Sequence, residues 1–526
     1  MQALIRPLNE LAEFEEISRD IRKGAGMIRV CGCVNSQKTH MMYALSDGCN
    51  YRVIACSSES KAKQVYEEYR FLDPNTYLYP AKDLLFYQAD LRSKELVSQR
   101  MEVIQAVAAG EEATVVTSFD AFMDSLLPKD VIVEKTVQIA NDSTLHLEEM
   151  QSRLVALGYD REVQIEAPGQ FAVRGGILDV YPLTEELPIR IELWGDEVDS
   201  IRTFDVETQR SIENLEEVSI CPAVEFPQEG EKGVSFLDYF PKEETILFLD
   251  EPVRLIEKGQ GVEEEFLEAQ KKRVESGYEV TDAEVQLYHT EEILKKMNAY
   301  SSVGFFALDM KCRGLETKAS FSLQTKSVNP YNSSFDMLTQ DLKRLKRNGY
   351  RVVLLSGSRT RAKRLAEDLR DYNLSSYYSD ELDREVAPGE IMTAYGHVAY
   401  GYEYPMLKFT VISETDIFGK TKKKKKRKTY EGRKIQSFAE LKVGDYVVHE
   451  NHGLGIYQGI EKIEVDKISK DYMKISYAQG GNLYIPATQL DLIQKYASAD
   501  AKKPKLNRLG TQEWTKTKTR VRGAVR

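Results

Sequence analysis

Apolar and polar positions follow several rhythms along this chain. Between positions 1 and 127, short β-type runs at 27–31, 52–55, 76–79 and 113–117 alternate with longer helical stretches at 11–23, 61–69 and 91–109. Largely apolar runs such as 27–31 suit strands covered on both faces, and strands spaced by helices imply a doubly wound parallel sheet. A further apolar run at 246–249 and an acidic helical stretch at 262–276 extend this pattern. From 334 it restarts: helix 334–348, strand 351–355, helix 359–369 and strand 407–413 predict a second, small α/β domain, entered through the linker Asn329-Pro330-Tyr331-Asn332.

Two regions carry the period of two. The stretch 169–205 holds three predicted strands at 171–173, 177–181 and 189–194, separated by Arg174-Gly175-Gly176 and by Pro182. The second is nearly all apolar. In the third, Ile189, Ile191 and Leu193 face a core, and Arg190, Glu192 and Trp194 face the other way. The second region, 438–496, has short strands at 445–449, 456–465, 472–477 and 483–485 with glycine-rich turns, the pattern of an SH3- or Tudor-like β-barrel.

The expected fold class is therefore α/β and multidomain. It comprises a phosphate-loop-type parallel lobe in two parts (1–127 and 228–328), an inserted α+β domain (128–227), a small α/β domain (329–415), a basic linker (416–434), the barrel (435–497) and a terminal segment (498–526). With 526 residues the chain is long enough for this, and a net charge of −11 argues against a protein that coats DNA. The six cysteines form no C-x-x-C pairs, so a zinc ribbon is not expected, and a reducing, cytoplasmic setting is. No apolar run approaches membrane-spanning length. The basic block 422–428 reads as a solvated linker, with salt-sensitive contact to nucleic acid as the sharper alternative.

Candidate chemistry is sparse. Gly32-Cys33-Val34-Asn35-Ser36-Gln37-Lys38-Thr39 follows a strand and opens a helix, as a phosphate-binding loop does, and Asp250-Glu251 end a later strand where a magnesium-binding acid pair sits. Gln37, however, replaces the glycine that lets backbone amides curl round phosphates. No arginine-bearing second lobe of the Q-x-x-G-R-x-x-R kind is present. Lys38, Thr39, Asp250 and Glu251 are thus read as a degenerate nucleotide site, with no catalytic residues, no ATP turnover and no cofactor expected. His449 and His452 lack a third ligand, so no metal is expected either.

Family resemblance sharpens this. F-x-V-R-G-G followed by R-I-E-L-W-G-D-E-V resembles the UvrA-binding domain shared by UvrB and bacterial transcription-repair coupling factors, and Val443-Gly444-Asp445-Tyr446-Val447-Val448-His449 onward resembles the RNA-polymerase-interaction domain of the latter and of CarD-type regulators. The tail Pro504-Lys505-Leu506-Asn507-Arg508 and Trp514 is similar to the segment leading to that family's ATP-driven DNA translocase, which does not follow before Arg526. The resemblance implies a non-enzymatic adaptor in nucleotide excision repair. Its partners would be UvrA, through Arg161, Arg174, Arg190 and Glu192, and the RNA polymerase β subunit, through Ile463, Val465 and Tyr457. DNA contact would be weak or made through the absent motor, and a monomer is expected. By parity, Ile456 and Ile460 suit the barrel core, whereas Ile463 and Val465 share the solvent side of an edge strand with Tyr457 and Glu461, unless Gly459 marks a bulge that shifts the phase. The alternative function is a UvrB-like ATP-dependent DNA loader. Gln37 counts against it, as does direct passage from Tyr87 into the helix at Leu91 where UvrB inserts a DNA-threading hairpin.

Overall fold

A computed structural model of the chain describes residues 1–82, 94–206, 208–227, 232–275, 287–419, 433–434, 443–449, 452–465, 468–478, 481–486, 493–495 and 506–508. The expected passage from Tyr87 to Leu91, the basic block 422–428 and Trp514 lie outside these residues. The chain forms two compact units. One comprises Met1–Lys82, Val103–Val131 and Phe226–Lys424; the other comprises Asp83–Glu102, Ile132–Glu225 and Lys425–Arg526.

In the first unit a seven-stranded sheet runs, in spatial order, Thr317–Ser322, Gly26–Cys31, Ser301–Phe306, Thr245–Asp250, Tyr51–Cys56, Ala113–Ser118 and Thr76–Tyr79. Every pairing in it is parallel. Thr245–Asp250 and Ala113–Ser118 are buried along their whole length, as apolar runs covered on both faces require. The acidic helix is longer than its charge pattern implied. It spans Pro252–Glu275, because Pro252 has the φ a first helical turn needs and the Glu251 carbonyl accepts from Arg254 and Leu255.

A second sheet in the same unit runs Lys326–Ser327, Tyr402–Tyr404, Phe409–Ser413, Arg351–Ser356, Ile391–Tyr395 and Tyr377–Ser379, parallel from Phe409–Ser413 onward and antiparallel at the first two strands. The expected strand 407–413 begins later, at Phe409. Pro405–Leu407 is a 3-10 turn, and Lys408 adopts a left-handed φ of 47°. One apolar core joins the two sheets. Ile28, Val30, Met41 and Met42 are in it, and so are Leu355, Tyr402, Tyr404 and Phe409.

In the second unit the inserted region forms a six-stranded sheet in the order Ser211–Leu215, Glu197–Phe204, Ile189–Trp194, Ile177–Tyr181, Gln170–Arg174 and Asp160–Arg161. The three strands expected at 171–194 appear within a residue of their positions. Leu154 of helix Leu147–Ala156 and Phe171, Leu178, Ile189 and Ile191 of the sheet share one core. The opposite face carries a smaller core of Ile165, Ala172 and Phe204, so it is not simply solvated. The polypeptide at 433–495 forms a separate six-stranded antiparallel sheet, in the order Arg433–Lys434, Ile493–Lys495, Tyr446–His449, Gly453–Val465, Ile468–Ser476 and Asn482–Pro486. Among the described residues no pairing closes this sheet from its last strand to its first.

Candidate functional site: two docking faces and a filled phosphate loop

On the inserted sheet the register sets Asp179 opposite Arg190. Asp179 is buried, and it holds two arginines. Arg190 donates from Nε to Oδ1 at 2.7 Å and from Nη2 to Oδ2 at 2.9 Å, while Arg174 Nη2 donates to Oδ2 at 2.8 Å. Arg190 also donates to Gln209 Oε1 at 3.0 Å and lies 4.4 Å above the Phe204 ring. The hydrogen bonds to Asp179 raise its pKa above the usual arginine value. Its guanidinium is thus committed inside the protein, whereas Arg174 keeps 47% of its side chain exposed. Glu192 is half-buried and paired with Arg202 on the next strand. Arg161 is exposed on the edge strand, in register with Phe171 and outside the Asp179 network. The Leu193 amide donates to the Gly176 carbonyl at 2.8 Å, which puts the Arg174–Gly176 turn beside the turn that presents Trp194, 84% exposed.

In the small antiparallel domain, the strand Gly453–Val465 has two neighbours only at its start. Tyr446–His449 pairs with it as far as Ile456, and beyond that point Ile468–Ser476 is its partner on one side. Asn482–Pro486 pairs with the outgoing strand only from Tyr472 to Ser476, so beyond Glu461 and Tyr472 the two strands form a two-stranded hairpin, and past Tyr457 the Gly453–Val465 strand has an open edge among the described residues. Gly459 has φ of 113°, and the register shifts between Tyr457 and Gly459. This bulge corrects the parity reading. Tyr457 pairs with Ile475 and is buried with Val447, Met473 and Ile475, so it belongs to the core and not to the solvent side. Ile460 pairs with buried Met473, but at the rim of that face it is 40% exposed rather than covered. Glu461 stays on the solvent face, where its carboxylate accepts from Lys474 Nζ at 2.7 Å. Ile463 and Val465 are described through their backbone alone, paired with Lys470 and Ile468. The rings of His449 and His452 lie 4.8 Å apart, and His449 is buried.

The phosphate loop is filled by protein. Gly32 has φ of 93°, and a Cβ there would meet the Leu323 carbonyl oxygen at 2.3 Å. The backbone after strand Thr317–Ser322 covers the loop: Leu323 donates to the Cys31 carbonyl at 2.9 Å and Thr325 Oγ1 donates to the Gly32 carbonyl at 2.6 Å. Gln37 turns inward and accepts from the Val34 amide at 3.3 Å. Helix Ser36–Ala44 is polar in sequence, yet Ser36, Gln37, Lys38, Thr39 and His40 are all buried. The cause is the second sheet. The Tyr400 amide donates to Ser36 Oγ at 3.0 Å, and Tyr404 packs against His40. Lys38 Nζ donates to Asp250 Oδ1 and to Glu251 Oε1, each at 2.6 Å. Burial opposes its charge, and the two carboxylates outweigh it, so its pKa stands above the ordinary lysine value. Lys38, Asp250 and Glu251 thus come together as expected, but they satisfy one another. A nucleotide and its metal do not fit this arrangement.

Residues 137–226 match the family described as UvrB interaction domain, and residues 441–497 match that described as CarD-like/TRCF RID domain. The transcription-repair-coupling factor of Bacillus subtilis (strain 168) is 29% identical over 98% of this chain and 49% of its own length. Those of Staphylococcus haemolyticus (strain JCSC1435), 29% identical, and Staphylococcus epidermidis (strain ATCC 35984), 28% identical, cover 85% and 86% of this chain and 43% of their own lengths. The chain is homologous to the N-terminal half of transcription-repair-coupling factors. It spans about half the length of these curated relatives. The Asp179 network lies within the matched UvrB interaction domain, and the one-sided hairpin lies within the matched RID domain. Sequence reasoning missed Asp179, because a lone carboxylate in an apolar run reads as part of the strand. It also missed His40, whose partners Leu4 and Tyr404 are distant in sequence.

Proposed function

We propose that this chain is the adaptor part of a transcription-repair coupling system. It docks UvrA through the inserted sheet and the RNA polymerase β subunit through the hairpin of the small domain, and it turns over no ATP. The observation that carries this reading is the presence, on one chain, of a UvrB interaction domain and an RID domain beside a phosphate loop closed by its own side chains. Arg174, bonded to Asp179 through Nη2 yet with about half of its side chain exposed, is the arginine that reaches a partner carboxylate, and Arg161 and Trp194 extend the exposed surface. Arg190 and Glu192 shape that surface through Asp179 and Arg202. In the small domain an unpaired strand edge offers backbone hydrogen bonds to another chain, with Ile463 and Val465 supplying the side-chain contacts.

Pull-down of UvrA and of polymerase β, beside an ATPase assay with and without DNA, tests the reading. Both partners should be retained with no DNA-stimulated hydrolysis. Hydrolysis that disappears in Lys38→Ala would restore the UvrB-like loading function instead.

A further inference from the structure

The acid pair at the end of the central strand poses an electrostatic question. Asp250 is buried, and Glu251 beside it is held with φ of 56° by its amide donating to Phe305 O at 2.9 Å. Its Oε1 also accepts from the Ala307 amide at 2.9 Å, so the carboxylate has a fixed aim. Two neighbouring carboxylates in a poorly solvated site repel each other unless a cation lies between them. In a working phosphate-loop protein that cation is a divalent metal, shared with the loop hydroxyl. Here the cation is Lys38 Nζ, 2.6 Å from one oxygen of each acid.

We propose that the Lys38 ammonium has taken the place of the divalent cation, so that the lobe carries a metal site filled from within, and that removing this ammonium turns Asp250 and Glu251 into a hard-cation site. The chemistry of the donor set supports this. Magnesium-like ions are held by one or two carboxylates and keep several waters in their shell. An ammonium satisfies the same oxygens with a single charge and brings no shell of waters to hold phosphates. The lysine that should meet the phosphates is thereby used up. Electrostatics, as much as Gln37, closes the site to nucleotide.

The inference deepens the closed-loop reading above, and its test does not use ATP turnover, so the two can fail separately. The full chain is prepared as wild type, Lys38→Met and Lys38→Met/Asp250→Asn. Bound Mn²⁺ is measured from loss of the free-ion EPR signal, beside thermal melts with and without Mn²⁺. Lys38→Met should bind one more Mn²⁺ per chain than wild type and melt at a higher temperature when the ion is present. Both gains should vanish in the double variant. Should Lys38→Met fold only with Mn²⁺, the proposal stands. A Lys38→Met chain that melts cooperatively yet binds no more Mn²⁺ than wild type overturns it, as does one that stays unfolded with and without the ion.

Discussion

At the scale of single residues, buried polar groups do more than their positions in the sequence suggest. His40 is enclosed, and its Nε2 contacts the Leu4 carbonyl at 3.0 Å, which only accepts. Nε2 must therefore carry the proton, and Nδ1 accepts from the Tyr404 hydroxyl at 2.9 Å. Burial pushes its pKa down from 6.5 to about 4. The unfolded chain then binds the extra proton first, so stability from this group is full above pH 6.5 and declines as pH falls towards 4. Between pH 7 and pH 5 the wild type should lose about 2 kcal/mol more than His40→Gln, read from urea unfolding at the two pH values. The two arginines on Asp179 divide in the same way. Arg174→Ala should leave the melt nearly unchanged and weaken UvrA binding about tenfold or more. Arg190→Ala removes the fork from a buried carboxylate and should cost about 3 kcal/mol, seen first in the melt. Loss of UvrA binding in neither variant would remove this face from the account.

At the scale of elements, the central strands were legible because their apolar runs are long enough and buried on both sides. Gly26–Cys31, Tyr51–Cys56 and Thr245–Asp250 fall where the pattern set them. What was not legible depends on long-range packing. Helix Ser36–Ala44 reads as polar and is buried, since residues of a sheet distant in sequence cover it, Tyr400 lying 364 positions after Ser36. Strands Tyr377–Ser379, Ile391–Tyr395 and Tyr402–Tyr404 went unread. In the hairpin a single glycine decided the outcome. The bulge at Gly459 returned Tyr457 to the core, while the register beyond it still pairs Ile463 and Val465 with the outgoing strand. Two substitutions separate the halves of that strand. Tyr457→Ala should cost about 3–5 kcal/mol and lower the melting midpoint of the small domain. Ile463→Arg should leave the circular dichroism spectrum intact and abolish co-elution with polymerase β. An Ile463→Arg chain that unfolds would make the residue part of the core and leave the open edge without its specific contact.

At the scale of the whole molecule, each compact unit is held by internal contacts that its domain pattern did not advertise. In the first unit one core runs through both sheets and takes in Cys33 and Leu323 at the phosphate loop. In the second, Arg100 Nε donates to Glu225 Oε2 at 2.7 Å with both side chains buried, tying helix Lys94–Ala108 to the end of the inserted region. Glu225→Ala should cost about 3 kcal/mol, because it removes a buried carboxylate that pairs with a buried guanidinium; a thermal melt of the full chain reads this directly. Among the described residues no helix is long and apolar enough to cross a membrane. The central claim is that one chain holds UvrA and RNA polymerase at separate faces without hydrolysing ATP. Size-exclusion chromatography of the full chain with core polymerase and UvrA, in the absence of nucleotide, tests it most directly. The account predicts a single complex of all three, which loses only UvrA in Arg174→Ala and only polymerase in Ile463→Arg. A complex that forms only when ATP is hydrolysed, or one that both variants leave untouched, would contradict it.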